Sequence, residues 1–334
     1  MNSIGYLAAA TLGALSVATA VAGDPHYTVV DHFAGADGGY DYISFDGASH
    51  ELFVGRETGV MRIDLATRKV TTDFVKGEDV AAVLIIPGTP LMLSTNGESN
   101  TATLFDRTTG VIKAKIKTGK GPDGALYDPS SKLAFVMNGD SEDTTLIDIA
   151  SATAVATIAL GGKPEAAAAD GKGRVYINIE DTAEIAVVDV KARKTVGRYK
   201  LPGCEEPTGI DYDSQTGLLI SACHNKVAKL IDASTGADRG SVVIAQGADG
   251  AIFDAQRRLV YVPCNDGTLS VFSLSKEGKA ALVQAVPTQR FARTAALDPE
   301  TGRLYLPAVQ RKPDGKGEGT RIPGTFQVLV VAPK

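Results

Sequence analysis

Acidic residues at one repeated position carry the clearest chemical signal in this sequence. Four carboxylates and one arginine each stand five residues before a recurring aspartate or its equivalent: Asp41, Asp123, Glu165, Asp249 and Arg293. Carboxylates gathered in one place repel one another unless a partner compensates their charge. A divalent cation, a ligand with cationic or hydroxyl groups, or Arg293 as an internal ion-pair partner would each do so. The competing interpretation is that the carboxylates cap local backbone N–H groups.

The first of these partners, a divalent cation, would also find ligands among asparagines at a second repeated position. Asn96 and Asn138 each end a strand in successive units, and amide oxygens are ligands that hard cations accept. The sequence therefore predicts a set of metal ligands, with Ca²⁺ as the leading ion: Glu165, Asp249, Asn138 and Asn96. A metal held there would polarise a carbonyl group and activate water, which is the chemistry of a metal-dependent hydrolase or lyase.

Histidine and cysteine add two further predictions. His224 follows a strand on the same rim as the acidic residues, where it is a candidate general base or an ordinary turn residue. Cys204 and Cys223 are predicted to form a disulfide, which would stabilise the fold by roughly 3 kcal/mol, and Cys223 with Cys264 is the alternative pair. The motifs of α/β-hydrolases, phosphate-binding loops, zinc proteases and c-type haem attachment are all absent, which excludes those classes.

The elements that must position these residues repeat along the chain. An apolar strand residue recurs every 40 to 44 residues, at seven positions: Phe53, Leu93, Phe135, Tyr176, Ile220, Tyr261 and Tyr305. Short segments rich in β-branched and aromatic residues alternate with turns that contain aspartate, glycine or proline. Seven such units of four strands predict an all-β protein, a seven-bladed β-propeller that spans residues 23–334.

The two ends of the chain predict how the ring closes. The last unit has strands near Thr294–Leu297, Leu304–Leu306 and Phe326–Val331 but lacks an outer strand, which Tyr27–Phe33 would supply. Closure of this kind removes an exposed sheet edge. In such blades the innermost strand begins and the second strand ends at the same rim. The repeated acidic position is therefore predicted to ring the mouth of the central channel.

A long insertion interrupts the last unit between its second and third strands, from Pro307 to Pro323. The strand topology predicts that it projects from the same rim as the acidic residues. Its glycine and charge content is typical of a disordered loop, and a mobile lid or a partner-docking loop is the alternative.

The N-terminal residues predict export from the cytoplasm. Residues Ile4–Ala22 carry no charge, and small residues at Ala20 and Ala22 predict cleavage before Gly23, so residues 1–22 are interpreted as a signal peptide. A single-span anchor is the alternative, although glycines interrupt the segment. The expected location of the mature protein is the periplasm or the extracellular space, with no membrane span after cleavage.

The composition disfavours nucleic acid as the partner. The 334 residues include 22% charged side chains with a formal net charge of −5, whereas nucleic-acid binders usually carry a basic surplus. Lysines between Lys113 and Lys120 alternate along a predicted outer strand, where they usually mark a solvated edge. Single-stranded DNA binding is therefore the weakest of the alternatives.

Several strand sequences resemble the YVTN repeat. They are Tyr176-Ile177-Asn178, Phe135-Val136-Met137-Asn138, Leu93-Ser94-Thr95-Asn96 and Tyr261-Val262-Pro263-Cys264-Asn265. The chain from about residue 26 to residue 332 is similar to secreted YncE-like β-propeller proteins. This resemblance implies an extracytoplasmic propeller, and one member type is associated with single-stranded DNA. Propellers of the lactonase type, which hold a divalent ion at the channel mouth with Glu, Asn and Asp, provide the analogy for an enzyme.

Together these observations predict an exported, monomeric binding or scaffold protein. The mouth would bind a small molecule, a cation or a protein partner, with its carboxylates holding cationic or hydroxyl groups and Arg293 an anionic group. The alternative is a lactonase-like, metal-dependent hydrolase or lyase at the same mouth, with His224 as its base.

Overall fold

A computed structural model describes residues 26–313 and 318–334, so the predicted signal peptide lies outside the described residues. The described chain forms thirty strands. Seven four-stranded antiparallel sheets form the blades of a propeller, and an eighth sheet of two strands lies in the insertion. The sequence-based prediction of an all-β, seven-bladed propeller is confirmed. Among the described residues there is no helix with the length and apolarity needed to cross a membrane.

Six blades are meanders that run outward from the channel in chain order. The strands of blade 1 are β2 (Tyr40–Asp46), β3 (Glu51–Arg56), β4 (Gly59–Asp64) and β5 (Val70–Lys76). Those of blade 2 are β6 (Val80–Ile85), β7 (Leu91–Asn96), β8 (Thr101–Asp106) and β9 (Ile112–Lys117). Those of blade 3 are β10 (Pro122–Asp128), β11 (Leu133–Asn138), β12 (Asp143–Asp148) and β13 (Thr153–Ala159).

The next three blades follow the same order. Blade 4 contains β14 (Pro164–Ala169), β15 (Arg174–Ile179), β16 (Glu184–Asp189) and β17 (Lys194–Lys200). Blade 5 contains β18 (Pro207–Asp213), β19 (Leu218–Cys223), β20 (Val227–Asp232) and β21 (Asp238–Val243). Blade 6 contains β22 (Ile252–Asp254), β23 (Leu259–Cys264), β24 (Thr268–Leu274) and β25 (Ala280–Pro287).

Blade 7 closes the ring with strands from both ends of the chain. From the channel outward it contains β26 (Ala296–Leu297), β27 (Leu304–Ala308), β30 (Gln327–Pro333) and β1 (Tyr27–Ala34). β1 pairs antiparallel with β30 from Tyr27 opposite Pro333 to Ala34 opposite Gln327, with one irregularity after Val29. The predicted closure is therefore confirmed, and it gives the last C-terminal strand a partner on both sides.

Aromatic residues at the repeated strand position fill the core. Phe53, Phe135, Tyr176 and Tyr261 are almost completely buried. The core lies between blades, because each sheet packs one face against the sheet before it and the other against the sheet after it; Phe135 of blade 3, for example, shares a cluster with Ile177 of blade 4. Burying each such side chain contributes about 1.5–3 kcal/mol.

Cysteines pair as predicted from the sequence. Cys204 and Cys223 form a disulfide that ties the loop before β18 to the end of β19, and Cys264 is a buried free thiol. The bond lies at the rim where the innermost strands begin. It fixes the segment that leads into the fifth blade.

The insertion adds a pair of short strands to the rim. Its described residues form a short hairpin in which β28 (Arg311–Lys312) pairs with β29 (Thr320–Arg321). Arg321 forms an ion pair with Glu57 of blade 1, and Glu318 accepts from Arg293 at 3.2 Å. Charges along the insertion therefore pair with opposite charges on the rim below.

Candidate functional site

The repeated acidic position lies at the start of the innermost strands, around one mouth of the channel. Asp41, Asp123 and Glu165 are each the second residue of their strand, in blades 1, 3 and 4. Asp249 and Arg293 lie in the segments that lead into blades 6 and 7. The structure brings all five together, since each of the four carboxylates interacts electrostatically with at least one of the other four residues.

Threonines of the neighbouring blades hold the backbone of this mouth. Thr95 donates its Oγ1 hydrogen bond to the carbonyl oxygen of Asp123 at 2.7 Å, and Thr294 donates to that of Asp41 at 2.8 Å. Thr208 makes the equivalent bond to Ala248, beside Asp249, at 2.9 Å. These tethers fix the acidic backbone between blades, and the sequence analysis did not identify them.

The electrostatics of the mouth are dominated by burial and by like charges. Burial, followed by the neighbouring carboxylates, raises the pKa of Asp41 and Glu165 well above the usual range. Burial and then Asp249 raise the pKa of Asp123 to about 6. Burial also raises the pKa of Asp249, although Arg293 opposes the shift. The mouth therefore carries carboxylates that are costly to ionise.

One arginine offsets only part of this charge. Arg293 Nε lies 2.9 Å from Asp249 Oδ2, and its Nη1 lies 3.2 Å from Glu318 Oε1. Glu318 is also paired with Arg311 at 3.1 Å. Arg293 is thus shared by two carboxylates, as the internal ion-pair interpretation required. The Oδ1 atom of Asp123 is buried and has no hydrogen-bond partner among the described residues.

A tyrosine spans the channel just below the mouth. Tyr42 of blade 1 donates from its hydroxyl to Glu165 Oε1 of blade 4 at 3.2 Å. Burial raises the pKa of Tyr42 well above its usual range, and all four carboxylates add to the shift. The hydroxyl therefore lies in the middle of the acidic ring. The sequence analysis missed this residue, although it directly follows Asp41.

A polar cavity of about 270 Å³ opens beside the mouth, beneath the insertion hairpin. It is lined by Tyr40, Asp41, Glu57, Asp79, Arg293, Arg311, Glu318 and Arg321, among others. Four acidic and three basic side chains are among its lining residues. The insertion thus supplies part of the wall of the site, which the sequence indicated only as a projection from this rim.

Backbone strain occurs at the same place. Phe291 has a φ of 69°, a left-handed conformation that bulky residues rarely adopt. Its carbonyl oxygen accepts hydrogen bonds from Tyr40 Oη at 2.5 Å and from the Arg293 backbone N–H at 2.9 Å. Strain of this kind costs on the order of 1–3 kcal/mol and persists where surrounding contacts enforce it. Here the contacts fix the segment that presents Arg293.

The asparagines of the predicted metal set donate hydrogen bonds within their own blades. Asn96 donates from Nδ2 to Thr103 Oγ1 at 3.0 Å, and Asn138 donates to Asp143 Oδ1 at 2.6 Å and to Thr145 Oγ1 at 3.0 Å. Each amide thereby bonds to the adjacent strand.

The acidic, histidine and cysteine side chains do not by themselves form a metal site in the described residues. Across residues 26–313 and 318–334, no three His, Cys, Asp or Glu side chains converge closely enough to hold a metal ion. Glu165 and Asp249 lie on the mouth, whereas Asn96 and Asn138 donate from Nδ2 within their own blades and keep Oδ1 atoms that are buried without a hydrogen-bond partner among the described residues. The spacing of the repeats placed all four at one rim, but a common rim does not bring side chains to a common point.

His224 lies on the predicted rim and contacts a carboxylate of its own. Its Nδ1 atom lies 3.1 Å from Glu206 Oε2, and its side chain is 41% exposed. Its charge acts on Asp249 when it is protonated. The ring therefore neighbours the mouth without a hydrogen bond to any of the five predicted residues.

Comparisons with known proteins identify the fold. No protein-family model matches the chain, and no curated protein matches it by sequence. A chain of the hydrazine synthase of Kuenenia stuttgartiensis aligns with a TM-score of 0.68 at 15% identity, covering 88% of this chain and 96% of that one. A chain of a mitotic checkpoint complex aligns with a TM-score of 0.76 at 13% identity, covering 98% of both. At these identities the similarities show a seven-bladed β-propeller fold and nothing of its ligand.

Proposed function

We propose that this protein is a β-propeller binding module whose channel mouth binds a small organic cation. The observation that carries the proposal is the charge balance of the mouth: among the described ion pairs, only Asp249 of the four carboxylates has a direct partner, Arg293, and Asp41, Asp123 and Glu165 have none. A cation placed among them would relieve their mutual repulsion. The buried, unpartnered Oδ1 of Asp123 offers it a free acceptor.

The spacing of the carboxylates favours an organic cation over a metal ion. A divalent metal needs several oxygen ligands at 2.3–2.6 Å from one point, as in calcium sites. The described residues offer no such convergent group. An ammonium group has three directed donors and can bond to separate carboxylates around a ring. Arg293 acts as the internal counter-charge, since two carboxylates already occupy it.

The proposed setting is extracytoplasmic. The resemblance to secreted YncE-like propellers and the signal-like residues 1–22 support export. A disulfide between Cys204 and Cys223 is compatible with an oxidising compartment. The cation is proposed to be a free small molecule or a basic side chain of a protein partner, bound by a monomeric propeller.

Thermal unfolding with methylammonium chloride tests this proposal. A ligand at 100 times its Kd adds about 2.7 kcal/mol to the free energy of unfolding. We expect methylammonium to raise Tm above the value in sodium chloride of equal ionic strength, and Glu165→Gln to reduce the difference. Asp73→Asn is the matched control, because Asp73 is exposed on an outer strand and its substitution removes the same charge.

Two results would overturn the proposal. One is an equal Tm in methylammonium and sodium chloride. The other is a rise with Ca²⁺ alone that Glu165→Gln abolishes, which would establish the metal site instead.

A further inference from the structure

A small apolar cavity lies directly beneath the acidic mouth. It measures about 130 Å³ and is lined mainly by the next residues of the same innermost strands. Small side chains leave this space: Ala82 of blade 2, Gly124 and Ala125 of blade 3, and Ala166 and Ala167 of blade 4. Val83 and Met137 complete an apolar wall. The channel therefore changes from acidic to apolar within one or two residues along β10 and β14.

Tyr42 separates the two compartments. Its side chain lines the apolar cavity, while its hydroxyl bonds to Glu165 in the mouth at 3.2 Å. A cation that binds Glu165 competes with this single hydrogen bond and would release the Tyr42 hydroxyl. Turning of the Tyr42 ring would then join the two compartments.

We infer that the mouth and this cavity form one amphipathic site for a primary amine with a short apolar tail. The inference rests on the proposed function and names the ligand class of the same mouth. The ammonium group lies among the carboxylates and the tail enters the apolar cavity. An acid of the same shape is repelled by the ring, and an alcohol leaves the charge of the ring uncompensated.

The volume of the cavity limits the length of the tail. An apolar protein cavity of about 150 Å³ holds benzene, so a cavity of 130 Å³ accommodates roughly five non-hydrogen atoms. Burial of each methylene group contributes about a fourfold gain in affinity. Affinity for linear amines is therefore expected to rise from methylammonium to butylammonium and to level off at longer chains.

Calorimetric titration with methyl-, ethyl-, butyl- and octylammonium chloride tests the inference on the full propeller. Butylammonium is expected to bind at least tenfold more tightly than methylammonium, with no comparable heat from 1-butanol or butyrate. Ala166→Val should remove the dependence on chain length, so that butylammonium binds no more tightly than methylammonium. Ala125→Val narrows the cavity from the adjacent blade and repeats the test if the first variant does not fold.

The outcomes separate this inference from the proposed function. Equal affinities for methyl- and butylammonium would overturn the apolar subsite and leave the cationic mouth standing. An unchanged chain-length dependence in both folded alanine variants would place the tail elsewhere and overturn it as well. No binding of any amine would overturn both.

Discussion

The two ends of the channel use the same residue types in opposite ways. At the turns between first and second strands, aspartates accept a hydrogen bond from the backbone N–H group two residues on: Asp46, Asp128, Asp170, Asp213, Asp254 and Asp298. At the mouth, no carboxylate of the acidic ring closes a turn of this kind among the described bonds. Asp123 retains a buried oxygen without any partner.

The protonation equilibria follow from this difference. At the turns between third and fourth strands, which lie at the same end as the capped aspartates, backbone N–H donors lower the pKa of Asp64, Asp106 and Asp148. At the mouth, burial raises the pKa of Asp41 and Asp123. Aspartates that close turns stabilise the fold, whereas those at the mouth oppose it and are available to a ligand.

The largest effect is expected where a capped aspartate is also buried in an ion pair. Arg258 binds both oxygens of Asp213, with Nη1–Oδ1 at 2.9 Å and Nη2–Oδ2 at 2.7 Å, and links blade 6 to blade 5. Arg258→Ala leaves this carboxylate buried without its cation and should lower the free energy of unfolding by about 3–5 kcal/mol. Urea denaturation measures this loss in the free energy of unfolding.

The exposed pair of Arg68 and Asp31 is the matched control. Both side chains are about half exposed, so Arg68→Ala should lower the free energy of unfolding far less than Arg258→Ala does. Equal losses in the free energy of unfolding of the two variants would contradict the claim that burial makes the Asp213 ion pair the more stabilising of the two.

The disulfide provides the next largest effect, and it lies on the mouth side. Replacing both Cys204 and Cys223 by serine should lower the free energy of unfolding by about 3 kcal/mol, as expected for a link across 19 residues. Urea denaturation of the double variant, with and without reductant, measures this. Cys264→Ser serves as the control in which the pair is intact. A double variant as stable as the native protein would show that the disulfide does not contribute to the free energy of unfolding.

A smaller effect of opposite sign is expected at Asp123. Its pKa is raised to about 6, so the folded state binds a proton that the unfolded state has lost. Stability therefore falls as pH rises from about 4 to about 6. Asp123→Asn removes this penalty and should raise Tm at pH 7.5 by roughly 2–4 °C, the shift that about 1 kcal/mol produces in a large domain. The gain should vanish near pH 4.

Differential scanning fluorimetry across this pH range measures the change at Asp123. A loss of stability at pH 7.5 would contradict it, because the variant would then have removed a favourable contact of the ionised form.

The smallest effect is expected at a capped turn. Asp106 accepts from the backbone N–H groups of Thr108 and Thr109 at 3.1 and 2.9 Å, and its depressed pKa means that its contribution to stability is lost as pH falls. Asp106→Asn retains an acceptor, so Tm should fall only slightly at pH 7.5. The difference should disappear in acid. A rise in the Tm of Asp106→Asn at neutral pH would contradict the claim that aspartates at the turns stabilise the fold whereas those at the mouth oppose it.

The repeat made the fold predictable. Phe53, Phe135 and Tyr261 recur because each blade must bury the same strand position, and the aspartates recur because each turn needs the same cap. The closure of blade 7 was predictable as well, since the last unit was one strand short and Tyr27–Phe33 was one strand too many.

The site was predictable only as a position on a rim. Register along the repeats placed Asp41, Asp123 and Glu165 at the mouth, but it carries no information on contacts across the ring. Tyr42 meets Glu165 across 123 residues of sequence, and Glu318 meets Arg293 because the insertion folds back. The amide nitrogens of Asn96 and Asn138 bond to the adjacent strands because of side-chain direction, which a spacing does not encode.

The central claim is that the mouth holds protonated carboxylates, from which a bound cation displaces protons. Calorimetric titration of butylammonium at pH 6 in two buffers of different ionisation enthalpy tests it directly, because the difference in heat counts the protons released. The account predicts proton release at pH 6, a smaller release in Asp123→Asn, and a decrease towards pH 8. Binding heats that are identical in both buffers, or no binding heat at all, would contradict it.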